Sequence, residues 1–284
     1  MILPDLSRRT ALTMIGAGLL PACTSLSSTG RGEGARDLAF GPHPRQKLDV
    51  YVPPGGGQNR PVVFFIYGGS WSGGSRGTYA LVGEAFAARG YVTVIADYRL
   101  VPEVRFPVFI EDGALALRFV ADSITDYGGD PGRIHLVGHS AGAYNAMMLA
   151  LDRRYLATAG VGARSIRAAV GLSGPYDFLP LEGAVTTAAF GQARNLSQTQ
   201  PINVVRRDTP PILLATGSAD RTVLPKNTQT LAARLRQVGA PVTVEVYEGL
   251  GHAEPALALT PLFSWRAPVL DDIIAFFESR NGRP

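Results

Sequence analysis

Ser140 stands in Ile134-His135-Leu136-Val137-Gly138-His139-Ser140-Ala141-Gly142, where an apolar run gives way to small residues and then to a helical pattern over Ala141 to Leu151. A serine at so abrupt a strand-to-helix turn is held in a strained conformation with its hydroxyl exposed. Gly138 and Gly142 remove the side chains that would keep the backbones apart. The helix starting at Ala141 aims its N-terminal dipole at the place where negative charge would develop. This suits nucleophilic attack, although a serine that merely caps the helix would leave the same local pattern.

A serine hydroxyl is a weak nucleophile at neutral pH and needs a base, which in turn needs an orienting partner. The chain has four histidines. His43 is in a Pro-flanked loop, His135 is inside a strand pattern, and His139 adjoins the serine with its side chain pointing away from the hydroxyl. His252, in Glu248-Gly249-Leu250-Gly251-His252 after the last expected strand, is the base by elimination. Asp220, in Thr216-Gly217-Ser218-Ala219-Asp220, follows another apolar run and is the acid that fits. Asp177 lies one strand too early, and Glu248 precedes its histidine too closely. Asp220 could also serve as a simple turn former. For the oxyanion of a tetrahedral intermediate, Ile66-Tyr67-Gly68-Gly69-Ser70-Trp71 offers the backbone N–H groups of Gly69 and Ser70, joined by that of Ala141. A plain glycine turn is the competing reading.

The elements that must position these residues are legible as alternation. Leu48 to Val52 alternates as a half-buried strand does, and the runs Val62 to Ile66, Tyr91 to Ala96, Ile134 to Val137, Ala168 to Leu172, Ile212 to Ala215 and Val242 to Val246 read mostly as strands buried on both faces. Helical patterns lie between them at Tyr79 to Arg89, Glu111 to Tyr127, Ala141 to Leu151 and Lys226 to Val238, with a last one at Ala267 to Ser279. Gly90, Gly128 and Gly239 stand just past three of these, where left-handed caps favour glycine. Strands alternating with helices at this spacing predict an α/β fold with a doubly wound, mostly parallel sheet. The stretch Gly174 to Pro211 is too long for a plain connection and is expected to hold a helix or two that roof a pocket.

Composition bounds the rest. The chain has 284 residues, 46% hydrophobic and 18% charged, which suits one large globular domain and excludes disordered and fibrous classes. Of 27 basic residues only Lys47 and Lys226 are lysines, and the arginines are scattered rather than striped, so no nucleic-acid partner is implied. One cysteine allows neither an internal disulfide nor a thiolate metal site. That residue, Cys23, ends a different pattern. Ser7-Arg8-Arg9-Thr10 precedes the uncharged stretch Ala11 to Ala22, which is too short to span a bilayer but has the layout of an export signal. The arginine pair resembles a twin-arginine signal and Leu20-Pro21-Ala22-Cys23 a lipobox, whose cysteine carries lipid. The expected organisation is an export signal over 1–22, a flexible tether over 23–35 and a catalytic domain over 36–284. It places the protein in a bacterial cell envelope or periplasm, attached to the membrane through Cys23.

From about Leu48 to His252 the chain resembles the serine esterases of the α/β-hydrolase superfamily. The branch in question includes small bacterial carboxylesterases and kynurenine formamidase-like and isoprenylcysteine methylesterase-like enzymes. The resemblance is carried by Leu48-Asp49-Val50-Tyr51, Tyr67-Gly68-Gly69-Ser70-Trp71, Asp97-Tyr98-Arg99-Leu100, Tyr127-Gly128-Gly129-Asp130-Pro131, Gly138-His139-Ser140-Ala141-Gly142 and Ser173-Gly174-Pro175-Tyr176-Asp177, with the Asp220 and His252 loops. It implies an eight-stranded, mostly parallel sheet with helices on both faces and no large cap. It also implies a Ser140-Asp220-His252 triad that needs no metal or cofactor, and an oxyanion hole from Gly69, Ser70 and Ala141. One departure stands out: Tyr67 takes the place of the histidine that usually opens the oxyanion motif and supports its loop. The implied activity is hydrolysis of small-molecule carboxylic esters through an acyl-enzyme. A formamidase would use the same triad, and a non-catalytic envelope lipoprotein could keep the fold. Trp71, Tyr144, Phe178, Phe190 and the stretch Pro255 to Phe263 are the candidate pocket walls.

Overall fold

Strands that are apolar on both faces must be covered on both faces, and the computed structural model, which describes residues 34–281, does this with helices on either side of one eight-stranded sheet. In chain order the strands and helices are β1 (Ala35–Ala39), β2 (Lys47–Tyr51), β3 (Arg60–Ile66), α1 (Ala80–Ala88), β4 (Val92–Ala96), α2 (Val108–Ser123), β5 (Gly129–His139), α3 (Ala141–Leu151), α4 (Arg153–Thr158) and β6 (Ile166–Leu172). They continue with α5 (Gly183–Phe190), β7 (Ile212–Gly217), α6 (Lys226–Gln237), β8 (Val242–Tyr247), α7 (Glu254–Leu257) and α8 (Val269–Asn281). The sheet order is β1-β2-β4-β3-β5-β6-β7-β8. β1 and β2 run antiparallel to their neighbours, and every pair from β4 to β8 is parallel.

The expected strands are all present, several of them longer than expected. β5 extends back to Gly129, and β7 and β8 each run on to Gly217 and Tyr247. β1 is an additional strand, polar and mostly exposed, which pairs only with β2 at the sheet's edge. β8 forms the other edge; it is half-buried, as a strand with one neighbour must be. Gly90, Gly128 and Gly239 all adopt left-handed backbone (φ 90°, 81° and 74°), as their cap positions predicted. The segment between β6 and β7 holds α5 and two short 3-10 turns, and it walls the cleft beside Ser140.

All eleven residues of α3 are buried. This helix therefore passes through the middle of the domain, against β5, β6 and α2. Its approach to the sheet is set by glycine. A methyl group on Gly142 would lie 2.0 Å from the Ile66 carbonyl oxygen, so the start of α3 and the exit of β3 meet backbone to backbone. Gly142→Ala is expected to force them apart, costing about 1–3 kcal/mol in urea unfolding and lowering activity through the displaced loop after β3. Wild-type stability in this variant would contradict so close a contact.

Candidate active site

β5 ends at His139, and the chain reverses into α3 through a single residue. Ser140 has φ 55° and ψ −122°, a region that residues with a side chain rarely occupy. The strain is held from both sides: its N–H donates to the Leu172 carbonyl of β6 at 2.9 Å, and its carbonyl accepts the N–H of Tyr144 at 3.1 Å. The hydroxyl makes no cap for the helix. Instead, Ser140 Oγ lies 2.8 Å from His252 Nε2, and His252 Nδ1 lies 2.8 Å from Asp220 Oδ2. With Nδ1–H donating to the carboxylate, Nε2 is left to accept the proton of the serine.

Asp220 forms a turn and meets the imidazole at once. Its Oδ1 accepts the N–H groups of Thr222 and Val223, each at 2.9 Å, while Oδ2 faces the imidazole. Its side chain is fully buried and that of His252 is 19% exposed. A carboxylate taken out of water needs such donors, and here they also fix the direction in which its free oxygen points. The loops after β7 and β8 are laced to each other: the N–H of Ser218 donates to the Tyr247 carbonyl (2.9 Å), that of Ala219 to Leu250 (3.0 Å), and that of Gly249 to Ser218 Oγ (2.8 Å). Acid and base are thus carried on one joined unit. The rivals stand elsewhere. Asp177 is exposed on the cleft wall and Glu248 is exposed at the end of β8. His43 meets Glu103 at 2.6 Å, and His135 stacks on Phe277 with ring centroids 4.1 Å apart.

The loop after β3 lies directly against the serine. A Cβ on Gly68 would be 3.0 Å from Ser140 Cβ, and the Gly69 carbonyl accepts the N–H groups of Ser72 (3.0 Å) and Gly73 (2.9 Å) in a tight turn. Gly69, Ser70 and Trp71 all have positive φ (131°, 54° and 57°). Two successive non-glycine residues in that region are costly, and the surroundings hold them there. The Trp71 indole N–H donates to Asn145 Oδ1 of α3 at 3.2 Å, and its ring packs edge-on against Phe190 (4.8 Å) and Tyr144 (5.3 Å). Ser70, Trp71, Ser140 and Ala141 border one cleft of about 450 Å³, together with Phe178 and Leu224. Of the anticipated pocket walls, Trp71 and Phe178 line this cleft, while Tyr144 and Phe190 are fully buried behind it. The stretch Pro255 to Phe263 does not contribute to it.

Tyr67 supports the same loop by means that sequence reasoning did not supply. Its fully buried hydroxyl accepts from Arg45 Nη2 (2.8 Å) and donates to Asp97 Oδ1 (2.9 Å). Burial, reinforced by the Asp97 carboxylate, pushes this hydroxyl well above the usual phenol range, so it remains a donor. Arg45 also holds the Gly74 carbonyl at 3.0 Å, and Tyr98 stacks on Tyr67 at 4.8 Å while its own hydroxyl donates to the Tyr67 carbonyl. Asp97 accepts the backbone N–H and the guanidinium of Arg76, which also reaches Asp49 and Asp37. The signal was present only in part: Asp97 and Tyr98 fall in a family marker, whereas Arg45 and Arg76 sit in ordinary loop sequence. Cys23 and the residues before it lie outside the described residues.

Tyr67→Phe removes one donor from Asp97 and one acceptor from Arg45. It is expected to cost about 1–3 kcal/mol in urea unfolding and to lower kcat more than it changes KM. Unaltered stability and kcat would mean that the hydroxyl does not hold this loop.

The BD-FAE family model matches residues 48–235. A probable isoprenylcysteine alpha-carbonyl methylesterase of Oryza sativa subsp. japonica is 30% identical over 269 residues, covering 87% of this chain and 63% of its own length. Esterase LipC of Mycobacterium tuberculosis is 30% identical over 241 residues, covering 77% of this chain and 59% of its own. The chain therefore spans somewhat less than two thirds of these relatives. Among solved structures, esterase B from Lactobacillus rhamnosis superposes with a TM-score of 0.76 at 20% identity, covering 87% of this chain and 85% of its own. A truncated carbohydrate esterase from gut microbiota gives 0.77 at 21% identity, covering 88% of this chain and 96% of its own. These structures share the α/β-hydrolase fold seen here, with its mostly parallel eight-stranded sheet and no large cap among the described residues. By its match over residues 48–235, the chain belongs to the BD-FAE family.

Proposed function

We propose that the protein is a serine carboxylesterase that hydrolyses carboxylic esters of small molecules through an acyl-enzyme on Ser140. The observation that carries this reading is the unbroken line from Ser140 Oγ through His252 to Asp220, with both hydrogen bonds 2.8 Å long and the far carboxylate oxygen saturated by backbone donors. A non-catalytic relative has no need to keep a strained serine and a buried carboxylate in register. The names of the relatives, a probable isoprenylcysteine alpha-carbonyl methylesterase and an esterase, favour ester over formamide as substrate.

In the first step Ser140 Oγ bonds to the ester carbonyl carbon while its proton passes to His252 Nε2. Asp220 keeps the other ring proton on Nδ1 and stabilises the imidazolium. The carbonyl oxygen, now negative, accepts from the N–H groups of Gly69 and Ser70, in a loop already bent before substrate arrives, and from that of Ala141 at the start of α3. Collapse of the intermediate breaks the bond to the alcohol oxygen, which takes the proton from Nε2 and leaves. Water then repeats the sequence on the acyl-enzyme, giving its proton to His252 and releasing the acid and free Ser140. The cleft offers Trp71, Phe178, Leu179, Val185 and Leu224 to an apolar portion of the ester, with Asp177 and Lys226 at its polar side.

Ser140→Ala is expected to lower kcat for p-nitrophenyl butyrate by at least ~10³-fold and to abolish labelling by a fluorophosphonate probe. Equal rates for Ser140→Ala and wild type would refute the assignment.

For location, we propose export followed by lipid attachment at Cys23, supported by Arg8-Arg9, the apolar stretch Ala11 to Ala22 and the Ser-, Thr- and Gly-rich residues that follow. In a bacterial host, Cys23→Ala should move the enzyme from the membrane fraction to the soluble fraction and remove a lipid-sized mass from its N-terminal peptide. An unchanged membrane fraction would contradict the anchor.

A further inference from the structure

His139 takes no part in the steps above, yet it is the residue through which the nucleophile's strand touches the base's loop. It is the last residue of β5 and 5% exposed. Its Nε2 lies 3.0 Å from the backbone carbonyl oxygen of His252, 113 residues away. A carbonyl can only accept, so Nε2 carries the proton and donates it. The other nitrogen, Nδ1, is buried and makes no hydrogen bond. It faces Gly68, where a Cβ would stand 3.1 Å from it. The ring thus sits between the oxyanion loop and the base loop, with its centroid 5.2 Å from that of His252.

We propose that His139 is a positioning residue, whose Nε2–H holds the His252 backbone so that the imidazole reaches Ser140 and Asp220 together. This deepens the esterase reading and rests on His252 being its base. The need is geometric. A loop imidazole that bonds Oγ at one nitrogen and a carboxylate at the other has its ring plane fixed only if its backbone is fixed too. Ahead of the histidine, the Gly251 N–H is held by the Glu254 carboxylate, itself paired with Arg266. At the histidine itself, the carbonyl is held by His139. The same ring must stay uncharged, because a second cation at this distance would oppose the imidazolium formed on His252 during turnover. Burial does this, holding the His139 pKa down to about 4.

The test compares His139→Gln, whose amide nitrogen falls close to the place of Nε2, with His139→Met, which has similar length and no donor. Both are assayed as the full chain on p-nitrophenyl butyrate. His139→Met should lose about 10–100-fold in kcat, the scale of a small misplacement of a catalytic group, while KM stays within about 3-fold because the cleft wall is untouched. His139→Gln should recover kcat to within a few-fold of wild type. Equal kcat for His139→Met and wild type overturns the proposal. So does an equal loss in both variants, which would assign the effect to ring packing. If His139→Met does not accumulate, His139→Asn replaces it: its shorter amide cannot reach the carbonyl, so kcat lost with KM kept is expected, and wild-type kcat overturns the inference. Failure of the underlying esterase reading is distinguished by wild-type protein that neither turns over the ester nor takes up a fluorophosphonate.

Discussion

Everything near the cleft depends on the one-residue reversal at Ser140. Its left-handed backbone is tolerable only because the N–H is committed to Leu172 and the carbonyl to Tyr144, and because Gly142 lets α3 start against the exit of β3. From that reversal follow the places of the other parts. The β3 exit already touches the turn, which places it where the proposed oxyanion loop must be. β6 lies beside β5 and fixes the serine's N–H. β7 and β8 follow in the sheet and deliver acid and base from the same edge. The order of strands thus brings into hydrogen-bond reach three side chains that are 80 and 32 residues apart along the chain.

The oxyanion loop shows how a change at one position can be absorbed by its surroundings. Where relatives of this branch usually have a histidine, Tyr67 presents a hydroxyl to both Arg45 and Asp97. Asp97 then ties the loop to Arg76, and through it to the edge strand β1 and its neighbour β2 by way of Asp37 and Asp49. The polar edge strand therefore has a part in the site although it lies far from the serine in the sheet. It supplies a carboxylate to the arginine that fixes Asp97, and Asp97 fixes Tyr67.

The residues proposed as catalytic are legible in the sequence because each has a one-dimensional signature: a buried apolar run, then a small-residue turn, then the side chain in question. Ser140, Asp220 and His252 share that form, and elimination among four histidines sufficed for the base. The supporting network was not legible. Arg45, Tyr67, Arg76 and Asp97 come from four separate segments, and nothing in their local patterns says that they converge. β1 leaves no such signature, because an exposed edge strand has little apolar alternation to display. Aromatic residues were identified as near the chemistry, but periodicity does not separate Trp71 and Phe178, which line the cleft, from Tyr144 and Phe190, which lie behind it. Similarly, the place of His139 beside the serine does not reveal the acceptor that its ring finds in the His252 loop.

The central claim is that chemistry passes through a covalent acyl group on Ser140, with His252 and Asp220 serving both halves of the reaction. Rapid-quench mass spectrometry of the wild-type protein mixed with p-nitrophenyl butyrate tests this most directly. The account predicts a butyryl increment confined to the peptide containing Ser140, appearing with a stoichiometric burst of nitrophenolate and decaying as water releases the acid. Turnover with no acylated Ser140 at any time, or with the acyl group on another residue, would contradict it.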